Sequence, residues 1–267
     1  MIFTLYGDIV HRGDRRDEGG ALPVAALIAL MASFEISPAA VRQALSRTSR
    51  QGWLQARRTG NRAFYSVTER GRRRIAELSP RIYGPIIEWD GIWRSLIFAG
   101  SDRGRRARDR LRQELSVLGW APLSNSTWLA PADSLASARA AAEVLGLGDV
   151  VHGFTGSYHG PLSDAQLIAR CWNLEHIAGA YREFIARYRP RLTGERERAA
   201  LDDETAFVER LWLVHDFRKF TYVDPGLPSE LVPAHWPRTT AAALFREYYA
   251  ALGAKSERFF RTAIDAI

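Results

Sequence analysis

The dipeptide Ser37-Pro38 is the clearest local signal in this chain, because it marks the beginning of a helix. A serine N-cap satisfies backbone N–H groups of the first turn, and a proline at the first helical position lacks an N–H that the helix could not have used. Gly52 supplies the left-handed residue that commonly follows a helix, so the pattern predicts a helix from Ser37 to Gln51. The preceding segment Pro23–Phe34 is continuously apolar and predicts a buried helix. Two helices joined by a short turn are typical of a helix-turn-helix.

The predicted helix from Ser37 to Gln51 is amphipathic. At about 100° per residue, its apolar stripe contains Val41, Ala44, Leu45 and Thr48. The opposite face contains Gln43, Ser46, Arg47 and Arg50, with Arg42 and Ser49 at its edge. An ordinary surface helix has the same pattern, so this face alone does not decide the function. On the second helix of a helix-turn-helix, however, guanidinium, amide and hydroxyl groups are the ones that reach base edges and phosphates in the major groove.

A basic β-hairpin is predicted directly after this helix. The segments Trp53–Arg58 and Arg62–Val67 have strand-like composition, and Thr59-Gly60-Asn61 between them has turn chemistry. Such a hairpin is a wing, and Thr68 is expected to cap a further short helix after it. We expect the wing to contact phosphate or the minor groove, which supplies affinity more than sequence specificity. The residues predicted to contact DNA are Arg42, Gln43, Ser46, Arg47, Arg50, Arg57, Arg58, Asn61 and Arg62.

Positive charge is concentrated in the same segment. The whole chain carries a net charge of +7, yet Val41–Arg74 holds ten arginines against one acidic residue, Glu69, which is +9 over 34 residues. A local patch of this kind is the electrostatic footprint of a phosphate-binding module. The two helices, the basic hairpin and the charge together favour a winged helix-turn-helix that binds nucleic acid.

Short motifs follow one another along nearly the whole chain. They are Thr4–Asp8, Val41–Arg47, Gln51–Leu54, Gly60–Tyr65, Arg81–Gly84, Trp89–Trp93 and Asp224–Pro228. Each motif is unspecific alone, but in this order they resemble the phenylacetic acid degradation repressor (PaaX) family. One departure is Thr48-Ser49, where a more apolar continuation of the helix is expected. This difference bears on target preference rather than on the fold.

The segment after Ser79–Asp90, which we interpret as a connector, alternates strand and helix patterns. The predicted order is a strand at Ile92–Ala99, a helix at Arg103–Leu118, strands at Trp120–Leu123 and Thr127–Ala130, a helix at Asp133–Leu145 and a strand at Val150–Tyr158. This β-α-β-β-α-β order is the ferredoxin-like arrangement.

The remaining third of the chain is predicted to be helical. A capping box at Ser163 and Gln166 starts a helix that ends before Pro190. Further helices are expected at Asp202–Phe217 and Thr240–Ala266, the latter with a break near Gly253. The sequence thus predicts an α+β protein with a winged helix-turn-helix in residues 1–80, a connector and ferredoxin-like domain in residues 81–160, and a helical domain in residues 161–267.

The PaaX resemblance implies a central domain similar to small ferredoxin-like CRISPR-associated endonucleases, which carry an aspartate at the end of the first strand. Here Ser95–Gly100 contains no acidic residue, and the first one is Asp102. We therefore expect a scaffold or dimerisation role rather than nuclease chemistry. The basic run Arg103–Arg112 has three interpretations: a solvated helix face, an auxiliary DNA contact, or a seat for the phosphates of an anionic ligand.

Enzyme and metal sites find no support in the sequence. The six histidines are scattered, without a partner at metal-ligand spacing, and neither a phosphate loop nor a Gly-x-Ser-x-Gly elbow is present. His215-Asp216 resembles half of an acid–base pair, but a salt bridge with Arg218 or Lys219 explains it equally well. No apolar run approaches the roughly 20 residues that span a bilayer, and the single cysteine, Cys171, fits a reducing cytoplasm. We predict a cytoplasmic non-enzyme without metal or cofactor.

These features predict a sequence-specific transcriptional regulator, most simply a repressor, that binds double-stranded operator DNA as a homodimer. The resemblance implies control of an aromatic-acid catabolic operon and release by an aryl-acyl-CoA effector, with phenylacetyl-CoA as the first candidate. The residues that bind the effector are not assigned. Two other hypotheses stay open: a nucleic-acid-cleaving enzyme whose metal-dependent activity requires Asp102, and a DNA-binding protein without an effector.

Overall fold

The computed structural model describes residues 1–10, 20–86, 88–99, 104–194, 198 and 200–267. The chain divides into two compact units. The first contains residues 1–84, 184–218 and 242–267, and the second contains residues 85–183 and 219–241. The C-terminal helical part therefore contributes to both units. The division into 1–80, 81–160 and 161–267 stays a prediction about the sequence domains.

The first unit begins with a helical segment that the sequence analysis did not anticipate. Helix α1 (Ile2–Leu5) continues as a wider π-helical turn over Tyr6–Val10. Leu5 and Tyr6 are fully buried, and the Tyr6 hydroxyl donates to the Tyr65 carbonyl at 2.7 Å. This segment is thereby held against the predicted wing.

Strand β1 (Leu22–Pro23) and helix α2 (Val24–Ala32) come next. The helix predicted at Pro23–Phe34 is therefore too long at both ends. Pro23 pairs with Phe64 of the wing instead of beginning the helix. Proline is tolerated in such a short outer strand because the N–H that it lacks would point away from β3, the strand with which it pairs.

Helix α3 (Pro38–Arg50) confirms the helix predicted from Ser37 to Gln51. The Ser37 side chain accepts the Ala40 N–H at 3.3 Å, and Gly52 follows the helix with φ +74°. The apolar stripe turns inward, since Val41 and Leu45 are buried in the core of the unit.

A hairpin follows α3, as predicted, but its turn has two residues instead of the expected Thr59-Gly60-Asn61, because Thr59 belongs to the strand and pairs with Arg62. Strands β2 (Leu54–Thr59) and β3 (Arg62–Val67) pair antiparallel, and their last pair closes a turn of Gly60 and Asn61. Gly60 has φ +59°, which tight hairpin turns require at the first central position. With β1 these strands form a sheet in the order β1-β3-β2.

Helix α4 (Glu69–Tyr83) begins at the predicted cap, where the Thr68 side chain accepts the Gly71 N–H at 3.1 Å. It continues through Pro80, so the connector predicted from Ser79 begins too early. Proline removes one helical hydrogen bond, but a tertiary contact holds the last turn, because the Tyr83 hydroxyl donates to Asp8 at 2.9 Å.

The second unit contains the predicted ferredoxin-like domain. Its elements are β4 (Trp93–Phe98), α5 (Arg105–Val117), β5 (Ala121–Pro122), β6 (Thr127–Ala130), α6 (Leu135–Val144) and β7 (Val151–Gly156). The strands form one antiparallel sheet in the order β5-β6-β4-β7, and side chains of α5 and α6 pack on one of its faces. The predicted order of elements is confirmed. Asp102 and Arg103 lie outside the described residues.

Two of the motifs that carried the family resemblance form fixed loops in this unit. Hydrogen bonds from the Arg94 guanidinium lower the pKa of Asp90 to about 2. The Asp224 carboxylate accepts the Gly226 N–H at 2.8 Å and the Tyr181 hydroxyl at 2.6 Å. Short polar side chains that bind their own backbone in this way stabilise turns.

The C-terminal part contains helices α7 (Asp164–Cys171), α8 (Leu174–Thr193), α9 (Asp203–Phe217), α10 (Phe220–Val223) and α11 (Pro237–Asp265). The predicted capping box is confirmed, but the single helix expected to end before Pro190 is wrong. A new helix starts after Asn173, whose side chain accepts the His176 N–H at 3.0 Å, and it continues past Pro190. Helix α11 is also unbroken at Gly253.

The core of the first unit joins the helix-turn-helix to C-terminal helices. One buried cluster contains Leu30 of α2 and Leu45 of α3 together with Phe207 of α9 and Phe260 of α11. The apolar stripe of α3 is therefore covered partly by residues that lie far along the chain. Burial of such side chains is the main source of stability in a packed core.

Candidate nucleic-acid interface

The polar face of α3 is exposed in the structure. Its exposed residues are Arg42, Gln43, Ser46, Arg47 and Arg50. Val41 and Leu45 on the opposite side have 0% and 1% exposure, so the core fixes which way the helix faces. The helix can therefore present its guanidinium, amide and hydroxyl groups to a duplex without rotating. Their contact with DNA stays a prediction.

The wing presents its arginines on two faces. Arg57 pairs with Phe64, and Arg62 lies in the same row opposite Thr59. Arg58 lies on the other face, in the row that continues to the buried Leu54 and Val67. Side chains alternate between faces along a strand, so the exposed hairpin offers cations to both sides of its tip. Asn61 is exposed in the turn.

The interface arginines differ from those of α4 in their partners. Within the described part of the chain, no hydrogen bond or ion pair is made by the guanidinium groups of Arg42, Arg47, Arg50, Arg57, Arg58 and Arg62. In α4, by contrast, Arg72 and Arg73 both pair with Glu69, at 2.8 and 3.1 Å. A guanidinium without an internal partner binds phosphate without first breaking an ion pair. The charge available to DNA therefore lies on α3 and the wing.

The first turn of α4 fixes the junction between α3 and the wing. The Arg70 guanidinium donates to the Gln51 carbonyl at 3.2 Å and lies 4.3 Å from the centroid of the Trp53 ring. The Thr68 hydroxyl donates to the Gly52 carbonyl at 2.7 Å. In the sequence, Arg70 is recognisable only as part of the basic patch, and its positioning role is not visible. An aromatic residue directly after the helix-ending glycine was the available signal.

Gly71→Ala is expected to destabilise this junction. A Cβ atom at Gly71 would lie 2.4 Å from Val67 Cγ1 and 2.6 Å from the Trp53 carbonyl oxygen. Because one of these atoms is backbone, the junction must shift, and such overpacking lowers the free energy of unfolding by about 1–3 kcal/mol. Urea unfolding measures the change. Gly179→Ala in α8 is the matched control, since nothing lies within 4 Å of its added Cβ. Equal loss of stability in both variants would contradict the close contact.

A buried polar cluster, the Asp8 cluster, lies in the same unit. It consists of Asp8, Tyr83, Arg210, Tyr249 and Glu257. The Asp8 carboxylate is fully buried and accepts the Arg210 Nε–H at 2.9 Å and the hydroxyls of Tyr83 and Tyr249 at 2.9 and 2.7 Å. The Arg210 Nη atoms donate to Tyr249 at 2.7 Å and Glu257 at 3.2 Å.

The Asp8 cluster is charged and connects distant parts of the chain. Burial acts to lower the pKa of Arg210, but Asp8, Tyr249 and Glu257 together outweigh it and raise the pKa above its ordinary value. The cluster ties the π-helical turn and the end of α4 to α9 and α11. Sequence reasoning missed it, although an aspartate within the apolar segment Ile2–Val10 was a signal.

Other predicted features have structural roles or stay open. The Asp216 carboxylate accepts from Arg187 at 2.7 Å and from the Tyr188 hydroxyl at 2.8 Å, so it is engaged in packing of helices α8 and α9. On α5, Arg105, Arg106 and Arg110 are exposed, and their use stays undecided among the three interpretations. Among the residues that the structure describes, no cluster of His, Cys, Asp or Glu could hold a metal ion.

A small cavity lies beside the Asp8 cluster. Its volume is about 40 Å³, and its wall includes Phe3, Gly7, Ile75, Ile82 and Val214. Ligand pockets for small molecules usually measure about 300–1,000 Å³, so this cavity is too small to seat an aryl-acyl group. The part of the chain that the structure covers also contains no helix long and apolar enough to cross a membrane.

Three family models match successive parts of this chain. The model for PaaX-like proteins matches residues 1–71, that for the PaaX protein central Cas2-like domain matches residues 87–168, and that for the PaaX-like protein C-terminal domain matches residues 172–262. The first covers the helix-turn-helix and wing, and the second covers the ferredoxin-like sheet. The matches follow the same order as the motifs in the sequence.

Individual proteins show the same similarity. The transcriptional repressor PaaX of Escherichia coli K12 is 34% identical over 255 residues, which is 93% of this chain and 78% of that protein. The structure of the uncharacterized protein Rv0674 from Mycobacterium tuberculosis aligns with a TM-score of 0.58 and 24% identity, covering 90% of this chain and 92% of the other, and supports the fold alone. With its exposed α3, its basic wing and matches along its length, the chain belongs to the PaaX-like protein family.

Proposed function

We propose that this protein is a sequence-specific transcriptional repressor of an aromatic-acid catabolic operon, acting in the cytoplasm. The observation that carries the proposal is the exposed polar face of α3, flanked by a wing whose arginines have no partner among the described residues. The similarity to a transcriptional repressor supports the same function. DNA reading is assigned to residues 1–80, and dimerisation and sensing to the remainder.

In this proposal, α3 enters the major groove. Arginine recognises guanine O6 and N7, and glutamine recognises adenine N6 and N7, so Arg47 and Gln43 are placed as base-reading residues, with Ser46 between them. Arg50 lies on the same face and enters the groove with them, and Arg42 at the edge of that face binds a phosphate that flanks the read bases. Arg57, Arg58 and Arg62 of the wing bind the neighbouring backbone, which fixes the register of the complex.

Two copies are proposed to bind a two-fold symmetric operator. The half-sites would lie about one helical turn, or a multiple of it, apart. An aryl-acyl-CoA thioester, with phenylacetyl-CoA first, is the proposed effector. The effector releases DNA only if it has a higher affinity for the dimer arrangement that cannot bind DNA than for the arrangement that can.

The test is a fluorescence-anisotropy titration of the promoter DNA upstream of the gene itself, against a scrambled duplex of equal length. Specific binding should exceed non-specific binding by about 10³-fold or more, and phenylacetyl-CoA should weaken it while free CoA does not. Equal affinity for both duplexes would overturn the repressor assignment. Specific binding that no acyl-CoA in a panel changes would overturn the effector and leave the DNA-binding role intact.

A further inference from the structure

Strand β7 is an open edge of the central sheet. Among the residues that the structure describes, the strand order β5-β6-β4-β7 leaves one side of β7 without a neighbouring strand. Every residue from His152 to Gly156 except the partly exposed Gly153 is exposed. An exposed edge strand presents backbone N–H and C=O groups that can pair with another chain.

The hydrogen-bond pattern identifies which residues face outward. The Ala99 N–H donates to the Val150 carbonyl at 2.8 Å, so these two residues form a hydrogen-bonded pair. The antiparallel register continues without interruption to Trp93 and Gly156. Because hydrogen-bonded and non-hydrogen-bonded pairs alternate, the backbone groups of Val151, Gly153 and Thr155 point away from β4. In the described part of the chain they have no partner on that side.

Apolar side chains lie beside this edge. Phe154 is 54% exposed and Ile97 of β4 is 38% exposed. Phe154 is paired with Ser95, and Ile97 with His152, so both apolar side chains lie on the sheet face opposite α5 and α6. Burial of these two side chains against another chain would therefore remove exposed apolar area directly beside the open edge.

The edge also lacks the features that usually prevent pairing. Soluble proteins protect open edges with proline or with charged residues, especially lysine. The segment Val151–Gly156 contains no proline and no lysine, arginine, aspartate or glutamate. When a strand pairs with a copy of itself, each charged side chain comes close to a like charge on the other copy. Strand β7 has none of these charged side chains, so no such repulsion opposes the pairing.

We propose that β7 pairs antiparallel with β7 of a second copy of this chain, which joins the two central sheets into one of eight strands. This inference rests on the homodimer in the proposed function and names its interface. A two-fold axis perpendicular to the joined sheet keeps the helices of both copies on one side of it. Each residue of β7 must then pair with a residue whose side chain lies on the same face of the sheet. A register centred on Gly153 meets this condition.

The Gly153 register uses all the outward backbone groups. It makes three hydrogen-bonded pairs, in which Val151 faces Thr155 of the second copy and Gly153 faces Gly153. Each such pair exchanges two bonds, so the edge gains about six. On the outer face, Phe154 lies opposite His152 of the second copy in a close non-hydrogen-bonded pair. A register centred on Phe154 would instead form only two hydrogen-bonded pairs within the strand.

The first experiment measures the dimer dissociation constant by analytical ultracentrifugation. Phe154→Lys should raise it at least about tenfold, because two lysines then meet in the pairing region. Val144→Lys is the matched control: it adds the same charge to the same domain, at an 86% exposed apolar residue of α6, and should leave the constant unchanged. Thr155→Pro removes only an outward N–H, which edge strands tolerate, and should weaken the dimer similarly. Thermal melting verifies that each variant is folded.

The second experiment tests the register in the Cys171→Ser background, which has no other cysteine. A mixture of His152→Cys and Phe154→Cys proteins should form a disulfide heterodimer under mild oxidation, because close cross-strand pairs meet disulfide geometry. Each variant alone should crosslink far less. Self-crosslinking of Phe154→Cys alone would overturn the Gly153 register and place the axis at Phe154.

The outcomes separate this inference from the proposed function. If the unmodified protein is monomeric at concentrations that bind operator DNA, the homodimer and the β7 interface are both wrong. If it is dimeric and neither Phe154→Lys nor Thr155→Pro weakens the dimer, only the β7 interface is wrong.

Discussion

Arg210→Ala is expected to lower the free energy of unfolding by about 3–5 kcal/mol, because it leaves the Asp8 carboxylate buried without its cationic partner. Asp8 has 0% exposure and therefore no access to water that would replace the lost guanidinium. The two tyrosine hydroxyls that remain are neutral donors and compensate only part of the charge. Urea unfolding followed by tryptophan fluorescence measures the effect.

Two further variants separate the charge effect from ordinary packing. Replacing both partners, as in Asp8→Leu with Arg210→Met, removes the buried charges together and should recover much of the lost stability. Arg258→Ala breaks the exposed ion pair with Asp203 and should leave the unfolding midpoint within experimental error. A double variant as unstable as Arg210→Ala alone would show that the shape of the cluster, rather than its charge balance, is what matters.

Arg47→Ala is expected to weaken operator binding by about 10–100-fold, or about 1–3 kcal/mol, because a bidentate contact with a base edge is lost. The variant should also become tolerant of substitutions at one operator position. Arg47 is exposed and has no partner within the described ranges, so the stability of the free protein should not change. Anisotropy titrations on the operator and on single-base variants of it measure both effects.

Arg58→Ala in the wing is the matched comparison. Both residues are exposed arginines without partners among the described residues, but Arg58 is assigned to phosphate. Its removal should weaken operator and scrambled duplex alike and reduce the slope of log K against log salt by about 0.9. If Arg47→Ala instead weakens both duplexes equally, α3 is not the base-reading element and the assigned roles are wrong.

Local signals explain which elements were predictable. The helix from Ser37 to Gln51 has its N-cap, its first-position proline and its following glycine within one short segment, so no distant residue is needed to define it. The order of strands and helices in the ferredoxin-like domain was likewise visible in short patterns. The end of helix α4 was not, because the turn after Pro80 is held by a contact between Tyr83 and Asp8 that lies outside any local window.

The candidate site shows the same division between local and distant information. Exposure of Gln43 and Arg47 follows from helical periodicity, and the structure agrees with it; Arg58 is exposed because it lies near the tip of the hairpin. The use of Arg70 to hold the end of α3 depends on a tertiary contact with Gln51 and could not be separated from the surrounding arginines by charge alone. The cavity beside the Asp8 cluster is too small to hold an aryl-acyl effector, and no sequence pattern pointed to another seat for it.

The Asp8 cluster also has a consequence for synthesis of the protein. Asp8 and Arg210 are separated by 202 positions, and ribosomes add about 5–20 residues per second, so the guanidinium emerges roughly 10–40 s after the carboxylate. During that interval the Asp8 carboxylate of the nascent chain lacks its cationic partner, and part of the apolar stripe of α3 is uncovered. We therefore expect the helix-turn-helix to reach its packed form only after α9 has been synthesised, so a polypeptide that ends before Arg210 should bind operator DNA more weakly than the whole chain.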